Sequence, residues 1–171
     1  MNLQMALISA MLLLTTQHPA MPKGMSHEEH VKEMEKDDAL KKRGADAMGF
    51  DQDVTTHHFR LTPAGGSIEV TVKDDADRAT VARIRAHLKS IAEDFSRGDF
   101  GKPFQTHAEV PPGVRVMRKY ARLISYRYEE LPHGGIVHIR SADSRARHAL
   151  HGFLRYQIAE HQTGDTIRPE W

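Results

Sequence analysis

Two stretches decide the fold: Phe59–Asp74, FRLTPAGGSIEVTVKD, and Tyr128–Asp143, YEELPHGGIVHIRSAD. Aligned without a gap, each carries an aromatic, a proline, a Gly-Gly pair, an alternating apolar/polar run and a closing aspartate. Successive side chains of a strand point to opposite faces, so such alternation predicts half-buried strands. His57, Phe59 and Leu61 fall on one face, with Ile68, Val70 and Val72 facing them across a turn placed at Gly65-Gly66. Ile124, Tyr126 and Tyr128 face Val137 and Ile139 in the same way. The opposite face carries His58, Arg60, Glu69, Arg127, Glu129, His138 and Arg140. The expected register sets Arg60 opposite Glu69 and Glu129 opposite His138, both attractive pairs.

A helix follows each hairpin. Leu88–Asp99 matches Leu154–Asp165, and both end in Gly-Asp, with glycine placed to stop a helix. Their stripes, Val81, Ile84, Leu88, Ile91 and Phe95, then Leu150, Phe153, Leu154, Ile158 and His161, recur at helical spacing. Two copies are too few for a solenoid. They predict an α+β domain over 51–167 with pseudo-two-fold symmetry. It has two ββα repeats (54–99 and 122–165), a four-stranded antiparallel sheet and two helices on one face. The connector, 100–121, is expected to hold a short helix from Val114 to Ala121.

Outside the repeats, Met5–Leu14 is a short apolar run that resembles a signal-peptide core, with cleavage expected after Ala20. The run is too short to span a bilayer comfortably. Residues 1–20 are therefore expected to be removed, leaving no membrane anchor and a periplasmic or secreted protein. Residues 21–50 form a polar, Met- and His-containing helix or tail. Ser26 and Glu29 make a capping box, predicting a helix from His27 to about Arg43 with a thin apolar face of Val31 and Met34.

The 171 residues hold 24 Lys plus Arg against 23 Asp plus Glu, a balance that offers no strong field for nucleic acid. Cysteine is absent, which removes disulfides, thiolate ligands and a cysteine nucleophile. No Gly-x-Ser-x-Gly or His-Glu-x-x-His pattern occurs, and neither Gly-Gly pair precedes a helix as a phosphate loop would. What stands out is 12 histidines, accompanied by 8 methionines.

The segments THHFRL (56–61), GGSIEV (65–70), GDFGKPFQTH (98–107), VPPGV (110–114) and HGFLRYQIAEHQTGD (151–165) resemble a group of exported bacterial proteins of unknown function. The likeness covers roughly residues 22–166. It implies export and a single fold, and no activity.

Imidazole is the commonest neutral-pH metal ligand. His57 takes the inward place that Tyr126 holds in the second copy, and His161 the core place that Phe95 holds in the first. If those faces pack together, His107, in the connector, can close over them. His57, His107 and His161 are thus candidate ligands of an enclosed copper or zinc site. The competing interpretation is a set of core histidines satisfied by backbone carbonyls. His27, His30 and Met34 fall within about 60° of one another on a helix and suit a soft ion such as Cu(I). His87 and His151 flank their stripes on opposite sides, so at most one points into the helix seam. Three functions remain open. The first is extracytoplasmic metal binding for sequestration or tolerance. The second is a non-catalytic module that takes a small ligand, a partner protein or a second copy of itself on the polar sheet face. The third is a metallohydrolase, with Asp94, Asp99 or Glu160 as general base.

Overall fold

The computed structural model describes residues 26–171, so the signal-like run, its cleavage point, Met21 and Met25 lie outside the described residues. The chain divides into two compact units, one ending at Glu35 and one from Lys36 to Trp171. In chain order the elements are α1 (His27–Met48), β1 (Thr55–Thr62), β2 (Gly65–Val72), α2 (Arg78–Ser96), α3 (Gly101–His107), α4 (Val114–Lys119), β3 (Ser125–Leu131), β4 (Gly134–Arg140) and α5 (Ser144–Glu160). No described helix is long and apolar enough to cross a membrane.

The sheet is antiparallel, in the order β1-β2-β4-β3. The two repeats therefore meet through their second strands, and α2 and α5 cover one face. The protein is an α+β fold with two ββα units and an N-terminal helix. The inward positions are as the alternation predicts: Leu61, Val137 and Ile139 are fully buried, as are Ile84 on α2 and Leu150 on α5. Each helix crosses mainly the hairpin of the other repeat, α2 over β3 and β4, α5 over β1 and β2. The Gly-Gly pairs make this crossing possible. A Cβ on Gly66 would lie 2.4 Å from Leu154 Cδ1, and one on Gly135 would lie 3.2 Å from Leu88 Cδ1. Leu88 and Leu154 are themselves equivalent, so the contact obeys the pseudo-two-fold.

Three local expectations are corrected. The turns are Pro63-Ala64 and Pro132-His133, and the Gly-Gly pairs open β2 and β4. The register is consequently shifted: His58 pairs with Glu69 and Arg60 with Ser67, while Arg127 pairs with His138 and Glu129 with Ile136. The expected ion pairs still form, but diagonally, as Arg60–Glu69 and, at 3.4 Å, His138–Glu129. Long side chains reach diagonal neighbours readily. Asp143 caps α5 through Arg145 N and Ala146 N, but Asp77 takes that role in α2. The first copy has three extra residues after Asp74, and these pass the cap along the chain. The connector helix stops at Lys119, short of Ala121.

The capping box forms as the sequence predicts, with Ser26 N donating to Glu29 Oε2 (2.9 Å) and Glu29 N to Ser26 Oγ (3.3 Å). The helix then runs past Arg43 to Met48, because its apolar face is broader than Val31 and Met34 suggest. Leu40 and Gly44 are buried, and Arg43 Nε donates to the carbonyl of Thr106 at 3.0 Å. Gly49 (φ 80°) ends the helix in the left-handed conformation that glycine tolerates, and Phe50 drops into the core.

Candidate metal centre

A cavity of about 60 Å³ lies between β1, the seam of α2 and α5, and α3. Four imidazoles line it: His57 from β1, His87 from α2, His107 from the end of α3 and His161 just past α5. Met48, Thr106 and Gln157 add polar or polarisable atoms; Phe59, Val70, Leu88 and Phe153 are among the apolar walls. Among the described residues, no carboxylate lines it. The structure thus brings together the two histidines that the repeat comparison selects, His57 and His161, and His107 of the connector. His57 and His161 have ring centroids 5.8 Å apart, and His107 and His161 5.2 Å apart.

Two glutamines orient the rings. His161 Nδ1 donates to Gln52 Oε1 at 2.9 Å, and His107 Nε2 donates to Gln157 Oε1 at 3.1 Å. These bonds place the ring proton on Nδ1 of His161 and on Nε2 of His107. The lone pairs are left on the opposite nitrogens. Among the described residues, Nδ1 of His107 and Nε2 of His57 are buried without a partner. Buried polar atoms are nearly always satisfied, so two such nitrogens at one cavity call for an explanation. Burial pushes His57 down to about 4, aided by the charges of His58 and Lys73. It also pushes His87 to about 4 and His161 to about 3. His107 is lowered too, chiefly by burial, against the opposing pull of Gln157, Glu160 and Glu109. At neutral pH all four are uncharged bases.

The backbone marks the same place. Ala108 (φ 56°) and Gln162 (φ 48°) are the non-glycine residues with positive φ among the described residues. Each directly follows a site histidine, His107 or His161. Such a conformation costs on the order of 1 kcal/mol and is held where surrounding structure demands it.

Pseudo-symmetry supplies a control within the molecule. The positions equivalent to His57, His87, Gln157 and His161 are Tyr126, Phe153, Ile91 and Phe95. On that side Phe95 packs against Tyr126 at 5.8 Å and Phe153 at 5.9 Å, an aromatic cluster. On that side the layer closes without imidazoles or amides, and its polar atom is the buried hydroxyl of Tyr126. His87 and Gln157 had a signal in the sequence, since each replaces a core residue of the other copy. Gln52, Phe50 and Met48 had none, because they come from outside the repeats. Phe50 stands edge-on to His87 at 5.7 Å. Gly44 makes room for Gln52, whose Nε2 would lie 2.2 Å from a Cβ there.

Other histidines serve the scaffold. His151 Nε2 reaches the carbonyls of Thr62 (3.0 Å) and Gly65 (2.9 Å), which fastens the first turn. His87 lines the cavity, and His151 is not among its lining residues. His58 Nδ1 bonds Asp165 Oδ1 at 2.8 Å, while Phe59 N and Thr163 Oγ1 donate to Oδ2, clasping the C-terminal segment to β1. Burial works against that carboxylate, but these bonds outweigh it and hold Asp165 below the usual range. Of the N-terminal trio, His27 is exposed, and His30 and Met34 are half-buried along α1. Asp94 is engaged by Ser90, Arg97 and Lys102, and Glu160 by Lys36, so neither approaches the cavity as a base.

Two imidazoles sharing one ion have centroids about 5–5.5 Å apart, given metal–nitrogen bonds near 2.0–2.1 Å. The His107–His161 pair, at 5.2 Å, meets this spacing, and the His57–His161 pair, at 5.8 Å, lies just outside it. Among the described residues no three His, Asp or Glu side chains yet converge on one point, so ion binding requires the rings to turn. Neither a protein-family model, nor a curated protein, nor a solved structure matches the chain.

Proposed function

We propose that the protein binds a copper or zinc ion outside the cytoplasm, through His57, His107 and His161, in sequestration or tolerance. The observation that carries this reading is the pair of buried, unpartnered nitrogens, His57 Nε2 and His107 Nδ1, on neutral rings. Metal-ligating histidines commonly donate their other N–H to a fixed acceptor, which sets the tautomer; Gln52 and Gln157 do this here. The cavity's size favours an ion over an organic ligand. It holds about 60 Å³, against roughly 300–1,000 Å³ for a typical small-molecule pocket. A metallohydrolase that uses a carboxylate as general base beside the histidines finds none among the described residues that line the cavity. His27, His30 and Met34 are proposed as an outer, weaker capture site.

The test is metal content of protein purified without a histidine tag, followed by calorimetric titration of Zn(II) and copper. The wild type should bind one ion tightly. The double variant His57→Ala, His161→Ala should lose that ion while remaining folded. If the wild type binds neither ion better than the double variant, the reading is wrong and the imidazoles are core residues.

A further inference from the structure

The donor set at the cavity is neutral throughout. Imidazole ligates through an uncharged ring, and the remaining candidate ligand, Met48, is a thioether. Charged groups that act on the rings are of both signs. Glu160 and Glu109 act on His107 and Asp94 on His87, against Arg43, Lys102 and Lys73. Among the described residues that line the cavity, no carboxylate stands in direct contact to balance a dipositive ion. The Born cost of desolvating an ion grows with the square of its charge, so a divalent ion loses roughly four times as much as a monovalent one of equal size. Thioether sulfur is also a soft donor that matches Cu(I) and is poorly suited to Zn(II).

Met48 reaches the cavity by a specific device. It is the last residue of α1, partly buried against the core, and Gly49 turns the chain immediately after it. Phe50 and Gln52 then close over His87 and His161. The segment that fixes the His161 tautomer therefore also brings Met48 to the cavity wall.

We propose that the resident ion is Cu(I), bound by His57, His107, His161 and the thioether of Met48. This rests on the metal-binding reading above and narrows it. Met48→Leu is close in volume and removes only the sulfur, so the fold should survive. Anaerobic competition with a Cu(I) chelator, run beside Zn(II) titration, is the experiment, with copper-edge X-ray absorption on the loaded protein. The wild type should hold Cu(I) more tightly than Zn(II) and show one sulfur scatterer. Met48→Leu should lose that scatterer and weaken Cu(I) by roughly tenfold or more, the scale set by altering a ligand's surroundings, with Zn(II) unchanged. Tighter Zn(II) than Cu(I), or Cu(I) binding indifferent to Met48→Leu, overturns this proposal and leaves the broader reading standing. Binding of neither ion overturns both.

Discussion

Acid should destabilise the metal-free protein in a window set by the buried imidazoles. In the unfolded chain a histidine titrates near 6.5; folded, His57 and His87 titrate at about 4 and His161 at about 3. Between these values the unfolded state binds more protons, so stability falls as pH falls. It is complete above 6.5 and declines steadily towards 4. Going from pH 7 to 5, linkage gives about 1.8 kcal/mol per imidazole, or roughly 5 kcal/mol for the three. That is a large share of the 5–15 kcal/mol that holds a typical domain together. Carboxylates held low, such as Asp94 and Asp165, contribute below this window, as they protonate in the unfolded chain nearer 4. The assay is urea unfolding followed by circular dichroism at pH 7 and pH 5, with chelator present. His161→Phe restores the residue found at the equivalent position of the first repeat, and it should reduce the acid loss by about a third. An equal loss in variant and wild type, or no loss in wild type, would refute the claim that these rings are buried and neutral.

His151→Ala frees the carbonyls of Thr62 and Gly65 and should cost about 1–2 kcal/mol, with metal stoichiometry unchanged; a lost ion would place His151 in the site. Leu40→Ala should cost about 2–4 kcal/mol in thermal or urea unfolding, since Leu40 is buried within the unit that begins at Lys36. Removing the chain up to Glu35 should change that transition by less than about 0.5 kcal/mol, as for surface changes that touch no core.

The repeat was legible because its signals are local. Period-two alternation, a Gly-Gly pair and a helical stripe each report the environment of a few neighbouring residues. The inward direction of His57 and the core placement of His161 follow from those patterns alone. The hairpin register did not, because the same alternation fits any even shift. The backbone at the turn chose Pro63-Ala64 and left the glycines for the helix crossing. The thin apolar face assigned to α1 missed Leu40 and Gly44, whose burial depends on what packs beside them.

The sequence by itself determined that two ββα units would form one α+β domain and that a histidine replaces an aromatic residue of the other copy in each of them. Tertiary structure decided the rest. Each helix crosses the other repeat's hairpin, so His57 and His161, from different copies, meet at one cavity. Whether His107, His87, Gln52 and Met48 join them depends on how α1, α2 and α3 pack around that crossing. The reason is physical. Alternation and helical spacing fix which way a side chain points, but distances between side chains far apart in sequence are set only when the layers pack.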